Sequence, residues 1–267
     1  MTHLGIFVRR PQVQSLSFIV LLFAAWEVAA DTELLRPYQF PAPSTIAAAA
    51  WETATVGFPE GVRLSTHALV TLRRVFEGFL LSTAVAIPLG LLIGWFPVLD
   101  RLTVPVITFG RSVATLSLLP LVIVWFGTGE LSKVLLIAYG CFWVMLGNVI
   151  AGVKYINPVL IRAARTMETN GVELFTHVVL PAALPRIFAG ARVSLGVGFM
   201  VIVGAEMIGT IRGLGALIME ARTYYRADIS FVGMVALGVL GFGLAVALNW
   251  LERWLLPWNR GLEDIRR

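Results

Sequence analysis

The chain has 267 residues, of which 58% are hydrophobic and only 14% are charged, and it carries a net charge of +5. A soluble domain has about 45–50% apolar and about 25% charged residues, so this composition excludes a water-soluble globular enzyme. It also excludes a disordered chain, because disordered segments are poor in apolar residues. The apolar residues form solid blocks without the alternation of a transmembrane β-barrel, and this predicts an all-α polytopic membrane protein.

Six apolar segments of a length suited to crossing a bilayer follow one another along the chain. The first is short and ends in small residues that resemble a signal-peptidase site. We favour a retained helix, because Trp26 and Glu27 stand where such a site has small neutral residues. Pro88 and Pro120 are expected to kink the helices that contain them. The predicted spans are 15–30, 75–96, 104–126, 131–150, 184–208 and 231–251.

The segment between the first two spans, residues 31–74, is semi-polar and too short for a core of its own. We expect it to lie on the outer membrane surface. Ser44 opens an alanine-rich helical stretch there and, with Thr45, is a candidate N-cap.

The basic residues predict the orientation in the membrane. The positive-inside rule places both termini and the loops that follow the second and fourth spans in the cytoplasm. Five arginines conflict with this assignment without reversing it: Arg73, Arg74, Arg212, Arg222 and Arg226.

Small residues recur every four residues in three stretches, and such stripes let a second helix backbone approach closely. We favour packing inside one bundle over a dimer interface as their purpose. The three stripes are Ala86/Gly90/Gly94, Gly190/Ser194/Gly198 and Ala205/Gly209/Gly213.

Few charged residues interrupt the spans, and those that do lie near predicted helix ends, where we expect them to snorkel to the interface. A buried charge would instead mark a functional candidate. Arg111 and Arg192 are candidates for positive potential along an inner vestibule, and Glu206 is a further candidate pathway contact.

The sequence has no phosphate loop, no HExxH, no GxSxG and no metal-ligand spacing. It therefore predicts no catalytic residue, no metal and no cofactor in this chain.

Residues 157–181 predict a helix-turn-helix on the cytoplasmic face. The first helix begins at Pro158, Asn170-Gly171 forms the turn, and a second helix over 172–179 stops before Pro181. The apolar face of the second helix consists of Leu174, Phe175, Val178 and Val179. Such a hairpin either covers the bundle as a flap or inserts into a groove of a partner.

This hairpin resembles the coupling loop of ABC importer permeases, which has the form E-A-A-x3-G-x9-I-x-L-P. Ala163 and Ala164 occupy the two alanine positions, Val178 takes the isoleucine position, and Leu180-Pro181 matches the end.

Two positions depart from the motif. Arg162 stands where the family has glutamate, and Glu168 stands where it has glycine, although Gly171 follows three residues later. Residues 118–133, 181–198, 205–209 and 251–258 also resemble the permeases for nitrate, aliphatic sulfonates and taurine.

The resemblance implies a type I ABC importer permease fold, with about six helices and a cytoplasmic coupling helix, in the bacterial inner membrane. The implied partners are a second permease copy as a homodimer, two cytoplasmic ATPase subunits that bind ATP and Mg, and an extracytoplasmic substrate-binding protein, but no nucleic acid. The implied substrate is a small anion such as an aliphatic sulfonate, taurine or nitrate. The implied coupling residues are Arg162, Ala163, Ala164, Glu168, Gly171, Leu180 and Pro181.

The chain then divides into an N-terminal tail, first helix and outer segment (1–65), a permease core that contains the coupling loop (66–256) and a cytoplasmic tail (257–267). Three alternatives remain open: another substrate of the same importer family, an ATPase-independent channel or carrier, and a membrane-embedded enzyme. The last has the least support, since no paired acids, metal cluster or nucleophile elbow are present.

Overall fold

The structure, a computed structural model, describes residues 11–32, 36, 38–59 and 61–259. Over these residues the chain forms helices and loops and no strand, which confirms the all-α prediction. Two short 3-10 helices, Thr115–Leu118 and Pro257–Asn259, accompany the longer ones. The helices are α1 Pro11–Asp31, α2 Pro43–Thr55, α3 Leu64–Trp95, α4 Pro97–Ser112, α5 Leu119–Phe126, α6 Glu130–Lys154, α7 Pro158–Thr166, α8 Gly171–Glu206, α9 Leu214–Thr223 and α10 Ala227–Leu255.

Four of the described helices, α3, α6, α8 and α10, are long and apolar enough to cross a membrane. The bent pair Pro97–Ser112 and Thr115–Phe126 makes a fifth if it is counted as one span. These five correspond to five of the six predicted spans. The remaining one, 15–30, is covered by α1, which is helical over 21 residues but is not among the helices that meet this test.

The predicted span 104–126 is bent by 81°, but the expected kink at Pro120 is wrong. Pro120 lies in the first turn of α5, where the missing N–H interrupts no helical hydrogen bond. The chain instead leaves the helix after Ser112 and re-enters one at Thr115. Pro88 does lie in the interior of α3.

The first small-residue stripe packs α3 against α6. A Cβ added to Gly90 would lie 2.7 Å from Val149, and one added to Gly94 would lie 2.8 Å from Val153. Residue numbers rise together along the two helices, so they are parallel. Only glycine permits this approach, and the interpretation of the stripe as packing inside one bundle is confirmed.

The second stripe packs α8 against α6 beside α3, since a Cβ added to Gly198 would meet Cys141 and Ile137 of α6 and Val75 of α3. Ser194 Oγ donates to the Cys141 carbonyl at 3.0 Å, and Cys141 Sγ donates to the Ser194 carbonyl at 3.2 Å. Gly190 faces Asn148, while Gly198 faces Cys141, so the two helices are antiparallel. The central position of α6 follows from having small residues on both neighbours.

The prediction that Ala205, Gly209 and Gly213 form a stripe on one helix is wrong. α8 ends at Glu206, and the two glycines follow in a loop with φ of 69° and 134°. They are in the left-handed region, which residues with a side chain rarely adopt.

The segment between α1 and α3 is attached to the bundle through α2. The residue before α2 is Ala42, so the predicted cap at Ser44 is wrong. Glu27 of α1 supplies the acceptor, since its carboxylate binds Ser44 N at 3.1 Å and Ser44 Oγ at 2.5 Å. Ala49 of α2 is buried with apolar residues of α9 and α10.

A second attachment of α2 is ionic. Arg226, just before α10, pairs with Asp228 at 2.9 Å and with Glu52 of α2 at 2.7 Å. Hydrogen bonds to Asp228 and then Glu52 raise the pKa of the Arg226 guanidinium above its usual range. This arginine is therefore occupied by two carboxylates.

Candidate functional site

The predicted hairpin begins with a capped helix. Asn157 Oδ1 accepts a hydrogen bond from Val159 N at 3.0 Å, and Pro158 occupies the first helical position, as expected. α7 ends at Thr166, and Thr169 Oγ1 then donates to the Ala164 carbonyl at 2.9 Å. This bond fastens the turn to the end of α7.

Glu168 occupies the motif position at which the family has glycine, and its backbone has a φ of 56°. Glycine adopts this left-handed conformation most easily, which explains the family's preference. Gly171 has no positive φ, and nothing lies within 4 Å of a Cβ added there. The turn therefore keeps the motif's position, and Gly171 does not replace the missing glycine.

The predicted turn at Asn170-Gly171 marks the start of α8. Asn170 Oδ1 accepts from Glu173 N at 2.8 Å, and Glu173 Oε2 accepts from Asn170 N at 3.2 Å, which forms a capping box.

The expected stop before Pro181 is wrong, because the helix continues to Glu206. Its residues Leu174–Val179 form a π-helical segment, and Pro181 lies in the first turn of the α-helical part. The missing N–H of proline is tolerated in that position. The hairpin is thus continuous with a spanning helix.

The hairpin has an inner face that packs on the bundle. Leu174 and Val179 are buried, and the Phe175 ring contacts that of Trp95 in a T-shaped pair with centroids 5.2 Å apart. Ala164 is buried as well, so its small size serves packing within the chain. The predicted apolar face of the second helix is confirmed.

A second set of hairpin residues is exposed and partly apolar, and one of them, Val172, lines a cavity beside Trp95. Met167 and Val172 are 79% and 74% exposed, more than packing within the chain would leave. We call this set the hairpin surface, and it consists of Val159, Arg162, Ala163, Met167 and Val172. Of the other predicted coupling residues, Glu168 and Gly171 are exposed, and Leu180 and Pro181 are half-buried.

The three candidate pathway residues do not converge. Arg192 Nη1 lies 2.9 Å from Glu252 of α10 and also donates to Asn249. Arg111 lies in the last turn of α4, with its guanidinium beside Gly147. Glu206 follows Arg192 by 14 residues on α8, or about 21 Å at 1.5 Å per residue. The cavity that Arg192 lines includes neither Arg111 nor Glu206.

Glu206 is 1% exposed, so the expectation that it snorkels to the interface is wrong. Its carboxylate accepts from Thr71 Oγ1 at 2.9 Å, from Arg74 Nη1 at 2.8 Å and from Gly215 N at 2.9 Å. A buried charge persists only when it is paired and hydrogen-bonded, and these donors meet that condition.

Arg74 joins this carboxylate to a second one. Its Nε and Nη2 each donate to Glu130 at 2.6 Å, and its Nη1 also donates to the Arg212 carbonyl at 2.8 Å. The guanidinium therefore links α3 to α6, α8 and the loop after α8. We call Arg74, Glu130 and Glu206 the buried charge cluster, after its buried members Arg74 and Glu206; the Glu130 side chain is 62% exposed.

Sequence reasoning missed the pairing of Arg74 with Glu206 and with Glu130. The available signal was the conflict of Arg74 with the positive-inside rule, since a cation on the disfavoured side needs a carboxylate partner. α3 also starts 11 residues before the predicted span at Val75, which places Arg74 inside a helix.

Glycines surround the buried carboxylate. A Cβ added to Gly213 would lie 2.5 Å and 2.6 Å from the two carboxylate oxygens of Glu206, and one added to Gly215 would lie 2.8 Å from Glu206 Cβ. His67, also fully buried, holds Gly213 from the other side through its carbonyl, 2.9 Å from Nδ1. The loop after α8 closes over Glu206 only because these residues lack side chains.

Comparison with known proteins identifies one family model, which matches residues 86–261 and is described as a binding-protein-dependent transport system inner membrane component. The taurine transport system permease protein of Escherichia coli (strain K12) is 32% identical over 92% of this chain and 89% of its own length. A permease protein of Bacillus subtilis (strain 168), named for aliphatic sulfonates transport, is 32% identical over 91% of this chain and 86% of its own length.

A relative with a different cargo is also similar. The riboflavin transport system permease protein of Chloroflexus aurantiacus is 30% identical over 90% of this chain and 88% of its own length. Among solved structures, a chain of the MetNI methionine ABC transporter in an inward-facing conformation matches with a TM-score of 0.62 and 20% identity. The match covers 71% of this chain and 94% of that one, and it shows a shared fold.

Proposed function

Because the chain belongs to the family of binding-protein-dependent transport system inner membrane components, we propose that it is the membrane-spanning permease of an ABC importer for a small sulfonate or related oxyanion. An ATPase-independent channel or carrier is not favoured, since family members work within ABC importers.

The hairpin surface is the observation that carries the coupling role. A flap that served only to cover the bundle would bury its apolar residues, yet Met167 and Val172 are 79% and 74% exposed. Exposed apolar residues beside polar ones are typical of a protein-docking site. We assign this surface to a groove on a separate ATPase subunit, which binds ATP and Mg.

The hairpin can transmit force because it is held at three points. The capping box fixes the start of α8, the Phe175–Trp95 contact fixes its inner face, and the helix continues without a break into the spanning part. ATP binding closes two ATPase subunits, moves two hairpins and tilts the helices attached to them. The permease then has two conformations, and ATP binding shifts the equilibrium between them.

The assembly that this mechanism needs has two permease copies, which we propose to be identical, and an extracytoplasmic binding protein. The hairpin and both termini lie in the cytoplasm, and the buried charge cluster lies toward the outer side of the bacterial inner membrane. The cluster and the hairpin lie at opposite ends of α6, whose 25 residues span about 37 Å.

The proposed substrate rests on the relatives named for taurine and aliphatic sulfonates, which share 32% of their aligned residues with this chain. The riboflavin relative is nearly as similar, so a neutral heterocycle is the second candidate.

The test is uptake into proteoliposomes that contain the permease, its ATPase and its binding protein. Taurine, methanesulfonate, nitrate and riboflavin are supplied separately, with and without ATP. We expect ATP-dependent uptake of at least one sulfonate. Uptake of riboflavin alone would overturn the substrate, and equal uptake without the ATPase would overturn the importer.

The docking role is tested by the double variant Met167→Asp/Val172→Asp. Two carboxylates in an apolar contact should reduce co-purification of the ATPase at least tenfold. The control is Val56→Asp, which places one carboxylate on a residue that is 70% exposed at the end of α2. Unchanged co-purification in the double variant would assign the ATPase contact to another surface.

A further inference from the structure

A polar cavity of about 390 Å³ opens beside the buried charge cluster, at the end of α6 opposite the hairpin. It lies between the start of α6 and the loop after α8. The residues that line it are Arg74, Thr128, Glu130, Lys133, Gly209, Thr210, Ile211 and Arg212. A water molecule occupies about 30 Å³ in the liquid, so the cavity can hold a small anion with part of its hydration shell.

The carboxylates at this cavity are already occupied. Both oxygens of Glu130 accept from Arg74 at 2.6 Å, and the oxygens of Glu206 accept from Arg74, Thr71 and Gly215. Both carboxylates are therefore hydrogen-bonded within the protein, and the single charge of Arg74 neutralises one of the two. The N–H donors of Arg74 are likewise engaged in these bonds and in the bond to the Arg212 carbonyl.

Lys133 and Arg212 are the two other cations at the cavity. Lys133 is 4% exposed, and its ammonium donates to the Thr128 carbonyl at 3.0 Å. An ammonium has three N–H donors, so two remain. In the described part of the chain neither Lys133 nor Arg212 forms an ion pair with a carboxylate. Three cations against two carboxylates leave the cavity with a formal charge of +1.

We propose that this cavity is an anion subsite of the permease, in which Lys133 and Arg212 receive a sulfonate or similar oxyanion. Lys133 donates from the buried wall, and Arg212 approaches from the exposed loop. Charge-assisted hydrogen bonds of this kind are stronger than those between neutral groups. The proposal rests on the proposed function, since it places the subsite where the binding protein releases its cargo.

Glycine gives the loop the shape that forms this cavity. Gly209 has a φ of 69°, and a Cβ added to it would lie 3.5 Å from Thr128 Cγ2. The positive φ at Gly209 shapes the loop that presents Arg212 to the same cavity as Lys133.

The test uses the full complex in proteoliposomes with taurine as the probe. Two rates are measured in the same vesicles: taurine uptake, and ATP hydrolysis stimulated by the liganded binding protein. A defect in assembly lowers both rates, whereas loss of the subsite lowers the uptake per ATP hydrolysed.

We expect uptake per ATP to fall about tenfold in Lys133→Gln and about threefold in Arg212→Gln, because the second side chain is exposed. The matched control is Arg222→Gln, which removes an exposed arginine outside the cavity and should leave the ratio unchanged. Should Lys133→Gln fail to fold, Arg212→Gln and Arg212→Glu carry the test alone.

The outcomes separate the two proposals. If the wild-type complex imports taurine and the Arg212 variants keep its uptake per ATP, the subsite is overturned and the proposed function stands. If the wild-type complex imports no small anion at all, the proposed function fails, and the subsite fails with it.

Discussion

Arg74 Nη1 donates a hydrogen bond to Glu206 Oε1 at 2.8 Å, although 132 residues separate the two in the chain. The bond ties the first half of α3 to the last residue of α8. Since Arg74 also binds Glu130 at the start of α6, one guanidinium holds three core helices together at one end.

Removal of Glu206 should destabilise the protein strongly. Glu206→Ala leaves part of the Arg74 guanidinium buried without its partner, and breaking such a pair costs about 3–5 kcal/mol. Thermal denaturation in detergent should show a large decrease in Tm. The control is Arg73→Ala, because Arg73 pairs with Glu77 while its side chain is 75% exposed. That variant should change stability by less than about 1 kcal/mol; equal losses in both would refute the cluster's structural role.

The space around Glu206 predicts an effect at Gly213. Gly213→Ala places a Cβ against the Glu206 carboxylate at a φ of 134°, and the combined clash and strain should cost about 2–4 kcal/mol. Gly243→Ala on α10 is the comparison, since a Cβ there meets nothing within 4 Å. We expect that variant to be neutral or slightly more stable in the same denaturation experiment. A Gly213→Ala protein as stable as wild type would contradict the close approach.

The small-residue stripe on α3 allows a compensation test. Gly90→Ala should destabilise by about 1–3 kcal/mol, because its Cβ would lie 2.7 Å from Val149. Shortening the opposing residue in Gly90→Ala/Val149→Ala should restore part of the loss. Thermal denaturation of both single variants and the double variant gives the coupling, and strictly additive losses would show that the two residues do not meet.

The turn of the hairpin predicts a stabilising substitution. Glu168→Gly should raise stability by about 0.5–1 kcal/mol, because glycine adopts a φ of 56° without the penalty of a side chain. Gly171→Ala should change stability by less than about 0.5 kcal/mol, since that residue needs no special conformation. Both are measured as shifts in Tm. A loss on Glu168→Gly would indicate that the glutamate side chain makes a stabilising contact.

The same turn shows how far the motif could be followed from sequence. The spacing of Ala163, Ala164 and Leu180-Pro181 located the hairpin, and the glycine position of the motif fell on Glu168. The sequence alone left it open whether Gly171 takes the place of the motif's glycine, because any glycine can form a turn. The backbone angle of Glu168 decides this, and it depends on the bond from Thr169 to Ala164 and on the cap at Asn170.

The sequence by itself determined the class of protein, the spanning segments after the first, the hairpin and the family resemblance. These features depend on local composition and short spacing, which the bilayer and helical periodicity impose directly. Only the tertiary structure decided that Arg74, Glu130 and Glu206 meet, that the last two glycines of the third stripe belong to a loop, and that Ala164 faces inward. Contacts between residues more than a hundred positions apart depend on how helices pack, and no local pattern specifies that packing.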